Sequence, residues 1–274
     1  MKESEYIIDA LRYDAHSQYL RECDETDTRL AKIYRGDGRY SVVRAPSLDE
    51  NRRLEYPDGS FTEIRDNFDT LLGELESFDI KVPEHSAFVS DIHTKDGKKG
   101  QGLCIVSEYI HGKCLPLENN GLWNSNQELF YDRMEQWLFS LTSYMASKYL
   151  CRECSEYFLT DVCRPIQFVY SFDDSSIYLV DLDPLYEKIV DSGGNVNERF
   201  IVGINTLNSL RNRYYNKGIA SGITGKSWGK DSKKILEKMI SDTDFVSRSR
   251  YSEGTRRIIK NLIQGIEYKK GRID

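Results

Sequence analysis

The chain has 274 residues, of which 39% are hydrophobic and 30% charged, and its formal net charge is −6. This length and composition are typical of a folded protein with one large domain or two lobes, while the acidic balance argues against nucleic-acid binding through bulk charge. No apolar run approaches the roughly 18 residues of a membrane-spanning helix, and the acidic start does not resemble a signal peptide, so we expect a cytoplasmic protein with no membrane partner.

Two hairpins and one helix are predicted in the N-terminal part. The strand-like runs 28–35 and 39–46 flank a Gly-Asp-Gly turn, which is typical of a hairpin. Ser60 and Glu63 form a capping box, and apolar residues then follow at helical spacing, so a helix is predicted from this point. Two later runs, 83–94 and 103–110, predict a second hairpin whose last strand is almost entirely apolar before Glu108.

The C-terminal part is predicted to be mainly helical, with a third hairpin inside it. Residues 127–150 have one apolar stripe and predict a long helix, while 111–126 look irregular. The segments "IQFVYS" and "SSIYLVD", on either side of Asp173-Asp174, predict the third hairpin. Three segments after residue 198 have apolar residues three and four positions apart, which predicts a helix in each. The fold class predicted from this order is α+β.

The stretch "IYLVDLDP" (177–184) holds the most informative acidic residues. Its first four residues are typical of a short buried strand, which Pro184 terminates. Carboxylates at the end of such a strand are expected to have a partner. Asp181 and Asp183 therefore either hold a metal ion or accept backbone hydrogen bonds in the turn before Pro184.

The order of these elements, from about residue 28 to residue 184, resembles the protein-kinase-like fold. The closer likeness is to its aminoglycoside-phosphotransferase-like and atypical branches, and "DLD" (181–183) is similar to a segment of the protein O-mannose kinase branch. The resemblance implies a bilobal fold. Residues 1–112 would form a β-rich nucleotide-binding lobe, and residues 113–274 a helical lobe with the catalytic and metal-binding loops.

The resemblance also implies which residues contact ATP. "YSVVRAP" (40–46) looks like the strand whose basic residue holds the nucleotide phosphates, and this residue is Arg44. Glu63 would orient that basic side chain. "LCIVSEYI" (103–110) resembles the strand and hinge that meet the adenine, so the backbone groups of Glu108, Tyr109 and Ile110 are the expected contacts.

The same resemblance assigns the catalytic and metal-binding roles. In "YFLTDVCRPIQFVY" (157–170), Asp161 would be the catalytic carboxylate and Gln167 a metal ligand, and Asp181, with Asp183, would bind Mg²⁺. The implied activity is transfer of the γ-phosphoryl group of ATP to a hydroxyl acceptor, either a small molecule or a protein. The nucleotide and this acceptor are the expected partners.

One departure from the family pattern and two local motifs keep other functions open. The segment before the first hairpin, "RECDETDT" (21–28), has no glycine, so the family's phosphate-covering glycine loop is missing. This favours a second hypothesis, an inactive pseudokinase that acts as a binding or regulatory module. A third is a metal-dependent glycosyltransferase, because such enzymes also use Asp-x-Asp after an apolar strand. Gly225-Lys226-Ser227 ends like a phosphate-binding P-loop, but Ala220 stands where that motif needs glycine, so a basic surface loop is predicted.

Overall fold

The computed structural model describes residues 31–36, 39–44, 59–93, 99–115, 126–150, 156–190 and 192–241, and within these ranges the fold is α+β. Small antiparallel sheets pack with four α-helices. None of these helices combines the length and the apolar character required to cross a bilayer.

The first sheet contains the two N-terminal hairpins. Its strands are β1 (Ala31–Gly36), β2 (Arg39–Arg44), β3 (His85–His93) and β4 (Lys99–Glu108). The spatial order is β1-β2-β4-β3, and every neighbouring pair is antiparallel. Both predicted hairpins are confirmed. The last strand begins four residues earlier than predicted, because β3 continues to His93, which pairs with Lys99.

Helix α1 (Phe61–Ser77) begins at the predicted capping box. The N–H and Oγ of Ser60 donate to Glu63 Oε2 at 2.8 and 2.9 Å, and the Glu63 N–H donates to Ser60 Oγ at 3.3 Å. These bonds satisfy donors that the first helical turn leaves unpaired. The apolar residues at helical spacing are all buried and pack toward β3 and β4: Ile64, Phe68, Leu71, Leu72 and Leu75.

The second sheet consists of β5 (Gly112–Cys114), β7 (Phe168–Ser171) and β8 (Ile177–Leu179), in the order β5-β7-β8. The third predicted hairpin is confirmed as β7–β8. The prediction of an irregular segment at 112–114 was wrong, because this segment forms β5 against β7. A Cβ at Gly112 would lie 2.1 Å from the Tyr170 carbonyl oxygen, so this close strand approach requires glycine.

Two three-residue strands, β6 (Tyr157–Leu159) and β9 (Tyr186–Lys188), form a separate antiparallel pair. In chain order they enclose the β7–β8 hairpin, so one hairpin is nested inside the other pairing. The Thr160 N–H donates to the Leu185 carbonyl oxygen at 3.0 Å and continues the outer ladder by one residue. Segments 160–167 and 180–185 connect the β6–β9 pair to the β7–β8 hairpin, and they therefore lie next to each other at the β6–β9 end.

The remaining helices are α2 (Gln127–Leu150), α3 (Glu198–Ala220) and α4 (Lys230–Ser241). They agree with three of the predicted helices, and the fourth, at 253–268, lies outside the described residues. All four helices and all three sheets contribute to one hydrophobic core. The boundary predicted at residue 112 stays a prediction, although β4 and β5 are joined by three residues only, 109–111.

Lys81 ties the segment after α1 to the second sheet. The Leu179 N–H donates to the Lys81 carbonyl oxygen at 2.9 Å, which adds a parallel bridge beside β8. Lys81 Nζ donates to Ser176 Oγ at 2.6 Å and to Asp174 Oδ2 at 3.1 Å, and the Tyr178 hydroxyl donates to that same carboxylate oxygen at 2.9 Å. Strand β8 is thus fixed on both edges.

Candidate metal centre

The nested pairing of strands brings the two acid-bearing segments together. Asp161 lies in the 3₁₀ turn Thr160–Cys163 that follows β6, and Asp181 and Asp183 lie in the segment that joins β8 to β9. The outer ladder brings Thr160, the residue before Asp161, opposite Leu185, which follows Asp183 by two residues. The inner ladder is extended by the Val180 N–H, which donates to the Gln167 carbonyl oxygen at 2.9 Å. Two local backbone pairings thereby fix the acidic residues.

Asp161, Asp181 and Asp183 each present a carboxylate oxygen, and the three oxygens lie within 4.8 Å of one another. Asp161 is buried, with 3% of its surface exposed, and the other two are half-buried. Three carboxylates this close repel one another strongly when ionised, and the repulsion increases as water is excluded. A cation between them offsets this repulsion. We refer to these three residues as the acidic triad.

The donor set of the acidic triad fits a hard divalent cation. Mg²⁺ prefers carboxylate oxygens at about 2.1 Å, so two direct ligands can be at most about 4.2 Å apart. Because the three oxygens lie within 4.8 Å of one another, direct binding by all three needs an approach of at most about 0.6 Å, or one carboxylate can contact the ion through water. The residues present therefore suit Mg²⁺ or Mn²⁺ far better than a metal that prefers sulfur or imidazole ligands.

Two further side chains lie next to Asp161. Arg164 Nη1 lies 3.9 Å from Asp161 Oδ1, and 56% of the Arg164 side chain is exposed. The Cys163 thiol is fully buried, and burial, together with the nearby Asp161 carboxylate, raises its pKa far above the ordinary value. Cys163 is therefore a neutral packing residue, whereas Arg164 provides a solvent-accessible positive charge at the edge of the acidic triad.

Gln167 ends the 3₁₀ turn Pro165–Gln167, immediately before β7. Its N–H donates to the Arg164 carbonyl oxygen at 3.0 Å, and its own carbonyl oxygen accepts from Val180. Its backbone is therefore fixed opposite the residue that precedes Asp181. Its role as a metal ligand through the side-chain amide stays a prediction.

Arg44 and Glu63, which the resemblance places at the nucleotide phosphates, are described to different extents. The Glu63 carboxylate is exposed and accepts from Ser60, and the backbone and side-chain bonds from Ser60 lower its pKa. It thus completes the capping box of α1, whose N-cap is Ser60. Arg44 is the last residue of β2, but its side chain lies outside the described part of the chain, so its pairing with Glu63 stays a prediction.

The predicted adenine contacts lie where the first sheet leads into the second. Glu108 ends β4, and its N–H donates to the Glu84 carbonyl oxygen at 2.8 Å, so this donor is already used within the first sheet. Tyr109 is partly exposed and Ile110 is half-buried in the three-residue connection to β5. Contact of these three residues with adenine stays a prediction.

Sequence reasoning missed Arg164 and the Lys81 contacts. Arg164 follows Asp161 by three residues, and that spacing within one predicted loop was a usable signal. Lys81 had no such signal, because its hydrogen-bond partners Asp174, Ser176 and Leu179 are more than 90 positions away in the sequence.

No protein-family model matches the chain, and no curated protein matches it.

Proposed function

We propose that this protein is an ATP-dependent phosphotransferase that uses Mg²⁺ and has a bilobal, protein-kinase-like arrangement. The observation that supports this most is the acidic triad, in which Asp161, Asp181 and Asp183 bring carboxylate oxygens within 4.8 Å of one another. Phosphoryl transfer requires a nucleotide and an acceptor to be held in line, with charge compensation for the phosphate oxygens. A site for one divalent cation beside a carboxylate and an arginine meets that requirement.

Each residue of the site has a distinct proposed task. Asp181 and Asp183 hold Mg²⁺, which when bound supplies positive charge to the nucleotide phosphates. Asp161 lies in a buried turn, where the Arg164 N–H donates to the Asp161 carbonyl oxygen at 3.0 Å. Its carboxylate orients the acceptor hydroxyl and accepts its proton. The exposed Arg164 guanidinium binds a phosphate oxygen and compensates for part of the charge of the triad.

The chain order of the strands favours a phosphotransferase over a metal-dependent glycosyltransferase. The latter enzymes usually begin with alternating strand–helix units, whereas the described N-terminal part contains two antiparallel hairpins with α1 between them. The position of Glu63 in a capping box, together with the missing glycine loop, supports the second candidate, a protein that binds a nucleotide but transfers phosphate slowly or not at all.

Substitution of one metal-binding carboxylate tests the proposal. We expect Asp181→Asn to abolish the rise in melting temperature that Mg·ATP causes in the wild-type protein, because a ligand stabilises a fold only when it binds the native state. Asp173→Asn is the matched control, since it removes an exposed carboxylate from the β7–β8 turn outside the triad. Equal Mg·ATP stabilisation of wild-type and Asp181→Asn proteins would overturn the metal assignment.

An ATP turnover assay distinguishes an active phosphotransferase from a protein that only binds the nucleotide. Radiolabelled ATP should be consumed by the wild-type protein, and consumption should fall by about 10²-fold or more in Asp161→Ala if this residue acts as a general base. Stabilisation by Mg·ATP without any turnover that depends on Asp161 would favour the pseudokinase alternative.

A further inference from the structure

The segment from Arg211 to Lys238 has a charge opposite to that of the chain as a whole. It contains eight Lys and Arg residues but only Asp231 and Glu237 as acids, in a chain whose net charge is −6. The rest of the chain is therefore even more acidic than the total suggests. Such a separation of charge makes a local field that attracts anionic partners to one part of the surface.

Helix α4 presents a row of lysines from this segment to solvent. Lys230, Lys234 and Lys238 are exposed and follow one another at four-residue spacing, which puts them on one face of the helix. The opposite face is buried through Leu236, Met239 and Ile240. We call Lys230, Lys234 and Lys238 the lysine face. Its side chains are about 6 Å apart along the helix axis.

The lysine face is poorly compensated within the fold. Lys234 lies 3.5 Å from Asp231, but among the described residues no carboxylate lies within 4 Å of Lys230 or Lys238. Like charges four residues apart destabilise a helix, and a lysine at the helix N-terminus opposes the helix dipole. Stability of α4 therefore does not explain this pattern, whereas binding of an anionic partner does.

The loop before α4 holds the lysine face in a fixed position. Trp228 Nε1 donates to the Tyr131 carbonyl oxygen at 3.0 Å, and Arg211 Nε donates to the Gly229 carbonyl oxygen at 3.2 Å. The Gly229 N–H donates to the Glu135 carboxylate. Because α4 is anchored at both its first turn and its buried face, its backbone loses little conformational entropy when a partner binds.

We propose that the lysine face binds a short acidic segment of a partner protein in an extended conformation. Alternate side chains of an extended chain are about 6.6 Å apart, which matches the spacing of the lysines. The row is only about 12 Å long, which is the length of about four residues of extended peptide and too short to follow a nucleic-acid backbone or to cover a membrane surface. This inference does not depend on the metal centre.

Fluorescence anisotropy with the full-length protein tests the proposal. The probe is a labelled peptide of about 12 residues with glutamate at alternate positions, measured at an ionic strength of about 50 mM, where surface charge is weakly screened. The triple variant Lys230→Gln/Lys234→Gln/Lys238→Gln should bind about tenfold more weakly or worse. A control with equal charge loss, Arg65→Gln/Lys113→Gln/Lys188→Gln, should bind within about twofold of wild type.

A second peptide tests whether the spacing of the three lysines matters. A peptide of the same charge with glutamates in adjacent pairs should bind at least about threefold more weakly than the alternating peptide. Absence of peptide binding to the wild-type protein, or unchanged affinity in the lysine variant, would overturn the proposal. So would tighter binding, through the same lysines, of a single-stranded oligonucleotide or of phosphatidylserine vesicles than of the peptide.

Discussion

Gly203 of helix α3 lies against Cys163, the residue that ends the 3₁₀ turn containing Asp161. A Cβ at this position would lie 2.6 Å from Cys163 Sγ and 2.9 Å from Cys163 Cβ. No ordinary packing contact is that short, so any side chain at residue 203 displaces the turn or the helix. The absence of a side chain at Gly203 thus helps to fix the position of Asp161.

Gly203→Ala is expected to lower the free energy of unfolding by about 1–3 kcal/mol, measured by urea denaturation, because the buried contact cannot relax without moving backbone. Adding Cys163→Ala should restore part of this loss, since the closest atom is then removed. The control is Gly73→Ala in α1, where nothing lies within 4 Å, and which should stabilise the fold by up to about 1 kcal/mol. Equal effects at residues 73 and 203 would refute this account.

Asp174 makes the folded state sensitive to acid. Burial raises its pKa, but hydrogen bonds from Ser176, Lys81, Tyr178 and Ser171 outweigh burial and hold the pKa well below the usual 3.8. A depressed pKa means that the carboxylate stabilises the fold above about pH 3.8 and that this contribution is lost as the pH falls toward the folded-state pKa. Its side chain is 40% exposed, so the contribution is small.

Comparison of wild-type and Asp174→Asn proteins across pH checks this assignment. At about pH 7 we expect the variant to be less stable by no more than about 1 kcal/mol. Below about pH 3.8 the difference should shrink, because the carboxylate of the unfolded wild-type chain takes up a proton while that of the folded chain is still ionised. A difference in urea midpoint that stays constant from neutral pH to about pH 3 would contradict the assigned hydrogen bonds.

At the residue scale, the sequence was most informative where a residue conflicted with its surroundings. Asp181 and Asp183 were recognised because acids are unusual at the end of an apolar strand, and the structure brings them together with Asp161. Arg164 was missed because an exposed arginine in a loop is ordinary. Glu63 matched two patterns, a capping box and a position in the kinase-like resemblance. In the structure its carboxylate lies in the capping box.

At the scale of elements, long patterns predicted well, whereas of the second and third sheets' short strands only β7 and β8 were predicted, because they flank the Asp173-Asp174 turn. The helix of residues 127–150 and the helix that begins at the Ser60 capping box were predictable, because many residues contribute to each pattern. Strands β5, β6 and β9 contain three residues each, which is too few to show alternation. They form because partner strands are brought next to them by the tertiary fold, and only the structure shows this.

The contact between α1 and α2 is a buried ion pair. Lys148 Nζ donates to the Glu74 carboxylate, with 3% of the lysine side chain and 26% of the glutamate side chain exposed. Lys148 also lies over the Tyr144 ring, 5.7 Å from its centroid. Neutralising one member of a buried pair leaves the other charge poorly compensated, which destabilises more than removing both.

We therefore expect Glu74→Gln to lower the free energy of unfolding by on the order of 3 kcal/mol in urea denaturation, and the double variant Glu74→Leu/Lys148→Met to lose less than this. The exposed pair Lys233–Glu237 in α4, 3.5 Å apart, is the control, and Glu237→Gln should cost about 0.5 kcal/mol or less. A double variant as unstable as Glu74→Gln would show that the pair itself, and not the isolated charge, determines stability.

At the scale of the whole molecule, three sheets and four described helices share one core, with residues 109–111 as the connection between β4 and β5. Lys81 adds a second link, since it joins the segment after α1 to β8. Sequence order indicated a mixed N-terminal part and a helical C-terminal part, but it could not show these contacts between distant segments. The acidic triad and the lysine face occupy different elements, so metal binding and partner binding can be tested separately.

The most direct test of the central claim is titration of the purified protein with Mn²⁺, followed by electron paramagnetic resonance. The acidic triad predicts one Mn²⁺ site per chain, and Asp181→Asn or Asp183→Asn should weaken it by about tenfold or more, because each substitution removes a charged ligand. Asp173→Asn should leave the site unchanged. Equal Mn²⁺ affinity in the wild-type protein and in both triad variants would contradict the claim that these three carboxylates form a metal centre.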